Sequence, residues 1–335
     1  MIRLGIVATS SVIPKVEFEF GIDFLRQKGF HVEVHPTVLG EYYFYPAPDE
    51  VRAQALIESA MNPDLDALWC ARGGYGATHL LPFLNRAKKK LQNKKIKKKT
   101  LLGYSDATAL LEWFRVNLGW NTIHAPMPSL RTFSLLSKEE WNSVESLLGH
   151  ATLKNKLGNH HYQLSPIFIP KGFKGAQAPL VGGNLFVWNS LIGTKDQGNA
   201  RGKILFLEEI SENMGRINRM MHHLEQSGGL KGVKAIVLGD FMDCLDTVPS
   251  CLIHPPKPGV DVKTFLRSPP QDAMGPLRKA YPSDQALDFV FKALGERNQL
   301  AVFKGLPVGH GPHYHSLYLG KKHSLSVKGG FQLIP

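Results

Sequence analysis

Short apolar runs alternate along the first 130 positions with longer stretches whose apolar residues recur at helical spacing. Residues 4–8 read as a strand, 16–29 as an amphipathic helix stopped by Gly29, and 31–35 as an alternating strand. Asp49 is placed to cap a helix carrying Val51, Ala55, Leu56 and Ala60 on one face. Ala67-Leu68-Trp69-Cys70 runs as a buried strand into the turn Arg72-Gly73-Gly74-Tyr75-Gly76, and a helix is expected over 77–86. Residues 101–104 form the next strand, Leu110, Leu111 and Phe114 mark a helix, and 122–124 a further strand. This alternation predicts an α/β fold with a parallel sheet covered on both faces.

Beyond residue 137 the pattern changes. Residues 138–180 scatter Gly149, Gly158, Pro166, Pro170 and Gly172 among polar positions, and read as a connection between an N-terminal domain (1–137) and a C-terminal one (181–335). The second unit opens on Val181-Gly182-Gly183-Asn184-Leu185. It contains expected strands at 203–207 and 233–238, a helix over Met214–Gln226, and short antiparallel runs around Gly320 and Gly329-Gly330. Residues 249–285 hold eight prolines and little periodicity, and read as an inserted loop.

The net charge of +12 raises the question of nucleic acid. Eight lysines lie between Lys88 and Lys99, and without them the charge is +4. The run has no interleaved aromatics to stack on bases and no recognisable nucleic-acid motif accompanies it, so it reads as a solvated helix end and loop. No apolar stretch reaches the roughly 18 residues of a membrane span, and the chain starts directly on a strand rather than a signal peptide. Cys70, Cys244 and Cys251 lack metal-ligand spacing and fit a reducing cytosol. A cytoplasmic protein binding neither nucleic acid nor membrane is expected.

The chemistry concentrates at strand ends, where such folds bind ligands. Gly103-Tyr104-Ser105-Asp106 puts a serine at the turn from a buried strand into a helix, with helix N–H groups beside it, which suits a nucleophile that generates an oxyanion. Equally, Ser105 could be a turn residue and Asp106 a helix cap. A serine nucleophile needs a base and a group to orient that base. His310, between Gly309 and Gly311, is the candidate base; Glu208, after Ile204-Leu205-Phe206-Leu207, is the candidate orienting carboxylate, with Glu209 and Glu212 as rivals. The turn at 72–76 can supply an oxyanion-hole amide or be a tight turn only. His310-x-x-His313-x-His315 raises zinc, unsupported by a carboxylate or cysteine motif.

Ala71-Arg72-Gly73-Gly74-Tyr75-Gly76, Gly103-Tyr104-Ser105-Asp106, His124-Ala125-Pro126, Gly182-Gly183-Asn184-Leu185, Leu205-Phe206-Leu207-Glu208-Glu209 and Pro307-Val308-Gly309-His310-Gly311 occur in one order. In these blocks, from the first strand to about Gly320, the chain resembles the LD-carboxypeptidase family of serine peptidases, which includes murein tetrapeptide carboxypeptidases and microcin-C self-immunity proteins. The resemblance implies a flavodoxin-like N-terminal domain, a C-terminal domain mixing strands and helices, an active site between them, and usually a homodimer. It implies Ser105 as nucleophile, His310 as general base and Glu208 as its orienting partner. The backbone N–H groups of Gly74 and Asp106 would form the oxyanion hole, with no metal or other cofactor. Gly73, Tyr75 and Tyr104 are expected to contact substrate. The implied activity is removal of the terminal D-alanine from a murein tetrapeptide during wall recycling. The alternatives are an amidase acting on aminoacyl-nucleotide antibiotics and a non-catalytic muropeptide-binding protein. Ala8-Thr9-Ser10 stands where the family often has Pro-Ser, Asn218-Arg219 where Asp-Arg is frequent, and Tyr318 where proline is usual; the 249–285 insertion also looks longer. These departures bear on the pocket rim and so on substrate choice.

Overall fold

The computed structural model describes residues 1–158, 160–245, 257–267 and 283–334. Five parallel strands, β1 (Arg3–Val7), β2 (His31–Val34), β3 (Ala67–Cys70), β4 (Thr100–Gly103) and β5 (Asn121–His124), lie in the order β5-β4-β3-β1-β2. This is the flavodoxin-like doubly wound arrangement, as the alternating pattern predicts. Every residue of β3 and β4 is buried, as expected of strands covered on both faces. Helices α1 (Lys15–Gln27), α2 (Asp49–Met61), α3 (Leu81–Leu91) and α4 (Thr108–Leu118) supply that cover.

Local readings needed correction in three places. Asp49 is the first helical residue of α2, and the cap position is Pro48 without a side-chain bond. The Asp49 carboxylate is drawn instead to Arg52 and to His79 (3.2 Å). Val51 is 44% exposed, whereas Arg52 and Ala53 from the next positions are fully buried. The buried arginine mimics a polar position in the pattern, which shifts the apparent face. The lysine run is not uniformly solvated either. Lys99 is 2% exposed and donates to the Ala60 carbonyl at 2.8 Å, and burial lowers its pKa to about 8. Lys88, Lys89 and Lys90 form the last turn of α3, where cations favour the helix dipole.

The 138–180 stretch holds α5 (Lys138–Leu153), β6 (His161–Gln163), β7 (Ser165–Phe168) and the start of β8 (Ala176–Asn184). A capping box at Ser137 and Glu140 starts α5, which buries Trp141, Val144, Leu147 and Leu148. The second sheet runs β6-β14-β13-β8-β9-β10-β11-β7. Here β8, β9 (Ile204–Ile210), β10 (Ala235–Met242) and β11 (Val302–Lys304) are parallel. Strands β13 (Lys322–Leu325) and β14 (Gly330–Leu333) extend it antiparallel to the edge strand β6, and β7 closes the other edge antiparallel to β11. Helix α6 (Leu185–Ser190) follows β8, and α7 (Met214–Gln226) falls where the sequence predicts it. Most of the 249–285 segment lies outside the described residues; within it, Val262–Arg267 is helical.

Two features lock the halves together. Strand β12 (Leu317–Leu319), from the far end of the chain, pairs antiparallel with β5 and completes the first sheet. Helix α4 is buried from Thr108 through Phe114 between the sheets, and the Thr108 hydroxyl accepts the Asn184 N–H at 3.0 Å. One apolar cluster accordingly runs from Leu4 and Trp69 through Phe114 to Phe206, Phe303 and Phe331.

Candidate active site

Strand β4 ends at Gly103, and Ser105 follows with φ of 58°, in the left-handed region. That conformation costs a non-glycine residue on the order of 1–2 kcal/mol. At a strand-to-helix elbow it holds the side chain out at the top of the sheet. Gly73 makes room: a β-carbon there would stand 3.0 Å from Ser105 Cβ and 3.1 Å from its Oγ. Gly74 has φ of 99°, and a β-carbon on it would lie 2.4 Å from Ser11 Oγ.

Asp106 departs from its expected role as a helix cap. Neither the 3-10 turn Ser105–Ala107 nor α4 has a side-chain cap. The Asp106 carboxylate, 4% exposed, instead accepts the Ala77 N–H at 2.8 Å. The tight turn points it sideways, so it ties the glycine loop to the elbow rather than closing its own helix. Burial pushes its pKa up, against the hydrogen bonds from Ser10 and Ala77. Behind the loop, fully buried Arg52 donates to the carbonyls of Thr9 (2.5 Å) and Gly76 (3.3 Å) and covers the Tyr45 ring at 4.5 Å.

Strand β9 runs on through both glutamates to Ile210, past the expected end at Leu207. Strand alternation sends Glu208 and Glu209 to opposite faces. Glu208 is fully buried, and its Oε2 accepts from His310 Nδ1 at 2.6 Å. Glu209 faces away. It accepts from Asn184 Nδ2 (2.8 Å), the Phe186 N–H (2.8 Å) and its own neighbour's Ile210 N–H (2.9 Å), bracing the start of α6. Glu212 pairs with Arg216 at 3.2 Å. Of the three rivals, Glu208 meets the histidine.

His310 lies on the loop between β11 and β12. The Gly311 N–H is held by Asp240 at 3.1 Å, and the Asp240 N–H by the Val308 carbonyl at 3.0 Å. The His310 ring is 4.7 Å from that of Tyr104. Burial would lower its pKa, but the charge and hydrogen bond of Glu208 outweigh this and raise it. With Nδ1 occupied, Nε2 is left for a reacting group. His124, 1% exposed, sits edge-on between Tyr104 and Phe206, with its Nε2 4.0 Å from Glu208 Oε1. Burial drops its pKa to about 4, so it is neutral and does not compete with His310 for the carboxylate's charge.

A cleft of about 390 Å³ brings Ser105, Gly73, Gly74, Tyr104 and His310 together, with Arg72 and Arg131 also on its wall. Tyr75 is not part of that lining. Its hydroxyl meets His79 Nε2 at 2.9 Å, and its ring lies 6.0 Å from Tyr45. Sequence reasoning passed over Arg131 and Met127, because the loop after β5 carries no periodic or motif signal. His124 stood in a motif block without a role. The histidines near the C-terminus do not converge. His310 turns to Glu208, His313 to Glu140 (3.8 Å) and His315 to the Tyr162 ring (5.5 Å). Among the described residues no group of three or more potential ligands is placed to hold a metal ion. A larger cavity of about 730 Å³ lies between α5 and β6. Its Ser146–His160 contact (2.7 Å) uses a serine on regular helix that also accepts the Gly158 N–H at 3.2 Å, which makes it a structural tie.

A left-handed serine elbow that shares a cleft with a carboxylate-held histidine, on a flavodoxin-like sheet, is the kind of arrangement that serine-nucleophile α/β proteins build. The LD-carboxypeptidase N-terminal domain matches residues 4–125 and the LD-carboxypeptidase C-terminal domain residues 177–254; the chain belongs to the LD-carboxypeptidase family. It is 35% identical over 209 residues to a protein of Rickettsia prowazekii that carries a carboxypeptidase name, covering 62% of this chain and 63% of that one. The chain thus spans less than two thirds of that relative. The murein tetrapeptide carboxypeptidase of Pseudomonas aeruginosa is 29% identical over 243 residues, 72% of this chain and 77% of the relative. The microcin C7 self-immunity protein of Escherichia coli is 29% identical over 262 residues, 71% and 74%. Among solved structures, the muramoyltetrapeptide carboxypeptidase of Oxalobacter formigenes superposes with a TM-score of 0.73 at 24% identity, covering 99% of this chain and 97% of that one. No helix among the described residues is long and apolar enough to cross a membrane.

Proposed function

We propose that this protein is a serine L,D-carboxypeptidase that removes the terminal D-alanine from murein tetrapeptides in wall recycling. The observation that carries the reading is the 2.6 Å contact of His310 Nδ1 with buried Glu208, in the same cleft as left-handed Ser105. Family membership and the names of the Pseudomonas and Oxalobacter relatives support the substrate class.

In this mechanism His310 Nε2 takes the Ser105 hydroxyl proton as Oγ attacks the carbonyl of the scissile bond. The Gly74 and Asp106 N–H groups receive the oxyanion. As the C–N bond breaks, His310 passes the proton to the leaving D-alanine nitrogen. Water, deprotonated by the same imidazole, then attacks the acyl carbon; the proton returns to Ser105 Oγ and the shortened peptide leaves. Glu208 holds the imidazole in the Nδ1–H tautomer and offsets its transient charge. The Ala77–Asp106 and Arg52–Gly76 bonds keep the glycine loop in place for that step.

The test is D-alanine release from a purified murein tetrapeptide, run beside hydrolysis of an aminoacyl sulfamoyl adenosine. D-Alanine release that disappears in Ser105→Ala is the expected result. Undiminished turnover in that variant, or cleavage of the nucleotide conjugate alone, would refute the assignment.

A further inference from the structure

We infer that Arg131 is the specificity-determining cation of the cleft, receiving the free carboxylate of the substrate's C-terminal residue. The inference rests on the proposed carboxypeptidase reading and adds how the end of a chain is told from its middle. An exopeptidase acting at a carboxyl terminus must recognise an anion next to the scissile bond. A planar guanidinium offers a two-pronged match to a carboxylate that an ammonium does not.

The cleft that contains Ser105 and His310 is walled by two arginines. Arg72 is engaged, donating through Nη1 to the Val12 carbonyl. Arg131 is exposed, and among the described residues it has no hydrogen-bond or ion-pair partner. No acidic side chain lines the cleft with it. The backbone under it is nevertheless fixed. Trp69 Nε1 donates to the Pro126 carbonyl (2.9 Å), Ser129 N–H to Ala71 (3.2 Å), Leu130 N–H to Met127 (2.9 Å) and Phe133 N–H to Leu130 (2.9 Å). A pinned loop that carries an uncommitted cation to the mouth of a nucleophile's cleft suits recognition of an anion, with little loop ordering left to oppose binding. Met127, Leu130 and Ile210 on the same wall give the small apolar surface that an alanine methyl group needs.

The experiment compares two probes with the full-length protein: a murein tetrapeptide ending in free D-alanine, and the same peptide ending in D-alaninamide. Losing one charge-assisted contact should lower kcat/KM of Arg131→Ala about 10–100-fold on the free acid, mainly through KM. On the amide, variant and wild type should agree within about threefold. Arg131→Lys, which keeps the charge without the fork, should fall between. The side chain is exposed, so the thermal midpoint should stay put. Equal losses on both probes, or no loss on the acid, would overturn the inference while leaving the carboxypeptidase reading intact. Absence of wild-type turnover on both probes would remove that reading and the inference with it.

Discussion

Replacing Glu208 by glutamine tests the site through two independent observables. The side chain is fully buried and its Oε2 is 2.6 Å from His310 Nδ1. Glutamine preserves volume but removes the charge, and its amide group can present N–H where the imidazole needs an acceptor. Loss of the acid in a Ser-His-acid triad costs about 10⁴ in kcat, or roughly 5 kcal/mol at 1.36 kcal/mol per decade. The pH dependence is sharper evidence. His310 works as a base only when neutral, and Glu208 raises its pKa above the ordinary histidine value against the opposing pull of burial. The acid limb of kcat/KM in the wild type should therefore lie above pH 6.5. In Glu208→Gln burial dominates and the limb should move to lower pH. D-Alanine release followed between pH 4 and 9 reads both effects. Glu209→Gln is the comparison: Glu209 braces α6 and raises the His310 pKa only through space and after both contributions of Glu208, so its loss should cost stability and move the limb less. An unmoved limb in Glu208→Gln, or a larger shift in Glu209→Gln than in Glu208→Gln, would refute the assignment of the orienting carboxylate.

Further expectations concern strain, the glycine loop and acid sensitivity. Ser105→Gly should be inactive like Ser105→Ala yet more stable than it by about 1 kcal/mol, since glycine accepts the left-handed backbone at little cost; equal urea midpoints would deny the strain. Asp106→Ala leaves the Ala77 N–H without its acceptor, so a loss of about 1–3 kcal/mol in urea unfolding is expected together with a fall in kcat. Unchanged kcat would mean that the loop does not depend on this tie. Buried His124 and His323 are both held near pKa 4, so the unfolded chain binds protons there that the folded one refuses. Stability should decline as pH falls from about 6.5 towards 4, by up to about 3 kcal/mol per histidine. His310 works in the opposite sense, its raised pKa adding stability below pH 6.5 that is lost as pH rises through the folded value. A urea midpoint that does not change between pH 7 and 5 would contradict the burial-driven pair.

The hydrophobic pattern carried the parallel sheet and the turn at Ser105, because a buried strand ending in glycine is a local signal, whereas Glu208 and His310 were singled out by their blocks in the family resemblance. What it missed depends on long-range partners. Asp49 and Asp106 look like caps in sequence, but each carboxylate is taken by groups remote in the chain: Asp49 by His79, Asp106 by Ala77. Glu208 and Glu209 could not be separated by type, only by which face of β9 each occupies. The strand itself looked shorter because two buried carboxylates mimic a polar boundary. Lys99 and Arg52 mislead in the same way: each is fully or nearly fully buried while its charged end reaches backbone carbonyls. Arg131 carried no signal, since only the folded cleft brings it to the nucleophile.

The return of β12 to the first sheet has a consequence for when and how the site can exist. The proposed nucleophile, Ser105, is present once the first 110 residues are made, but the proposed base, His310, sits on the loop immediately before the three-residue strand that seals the β5 edge. A chain still being synthesised, or one cut short of residue 317, carries the serine elbow and an open sheet edge without the seal that follows its partner base. The proposed activity thus requires the chain to be made and threaded as far as β12, and a shorter molecule should be inactive. The same seam opposes any wide hinge between the halves. The proposed turnover should therefore tolerate cross-linking of the two halves.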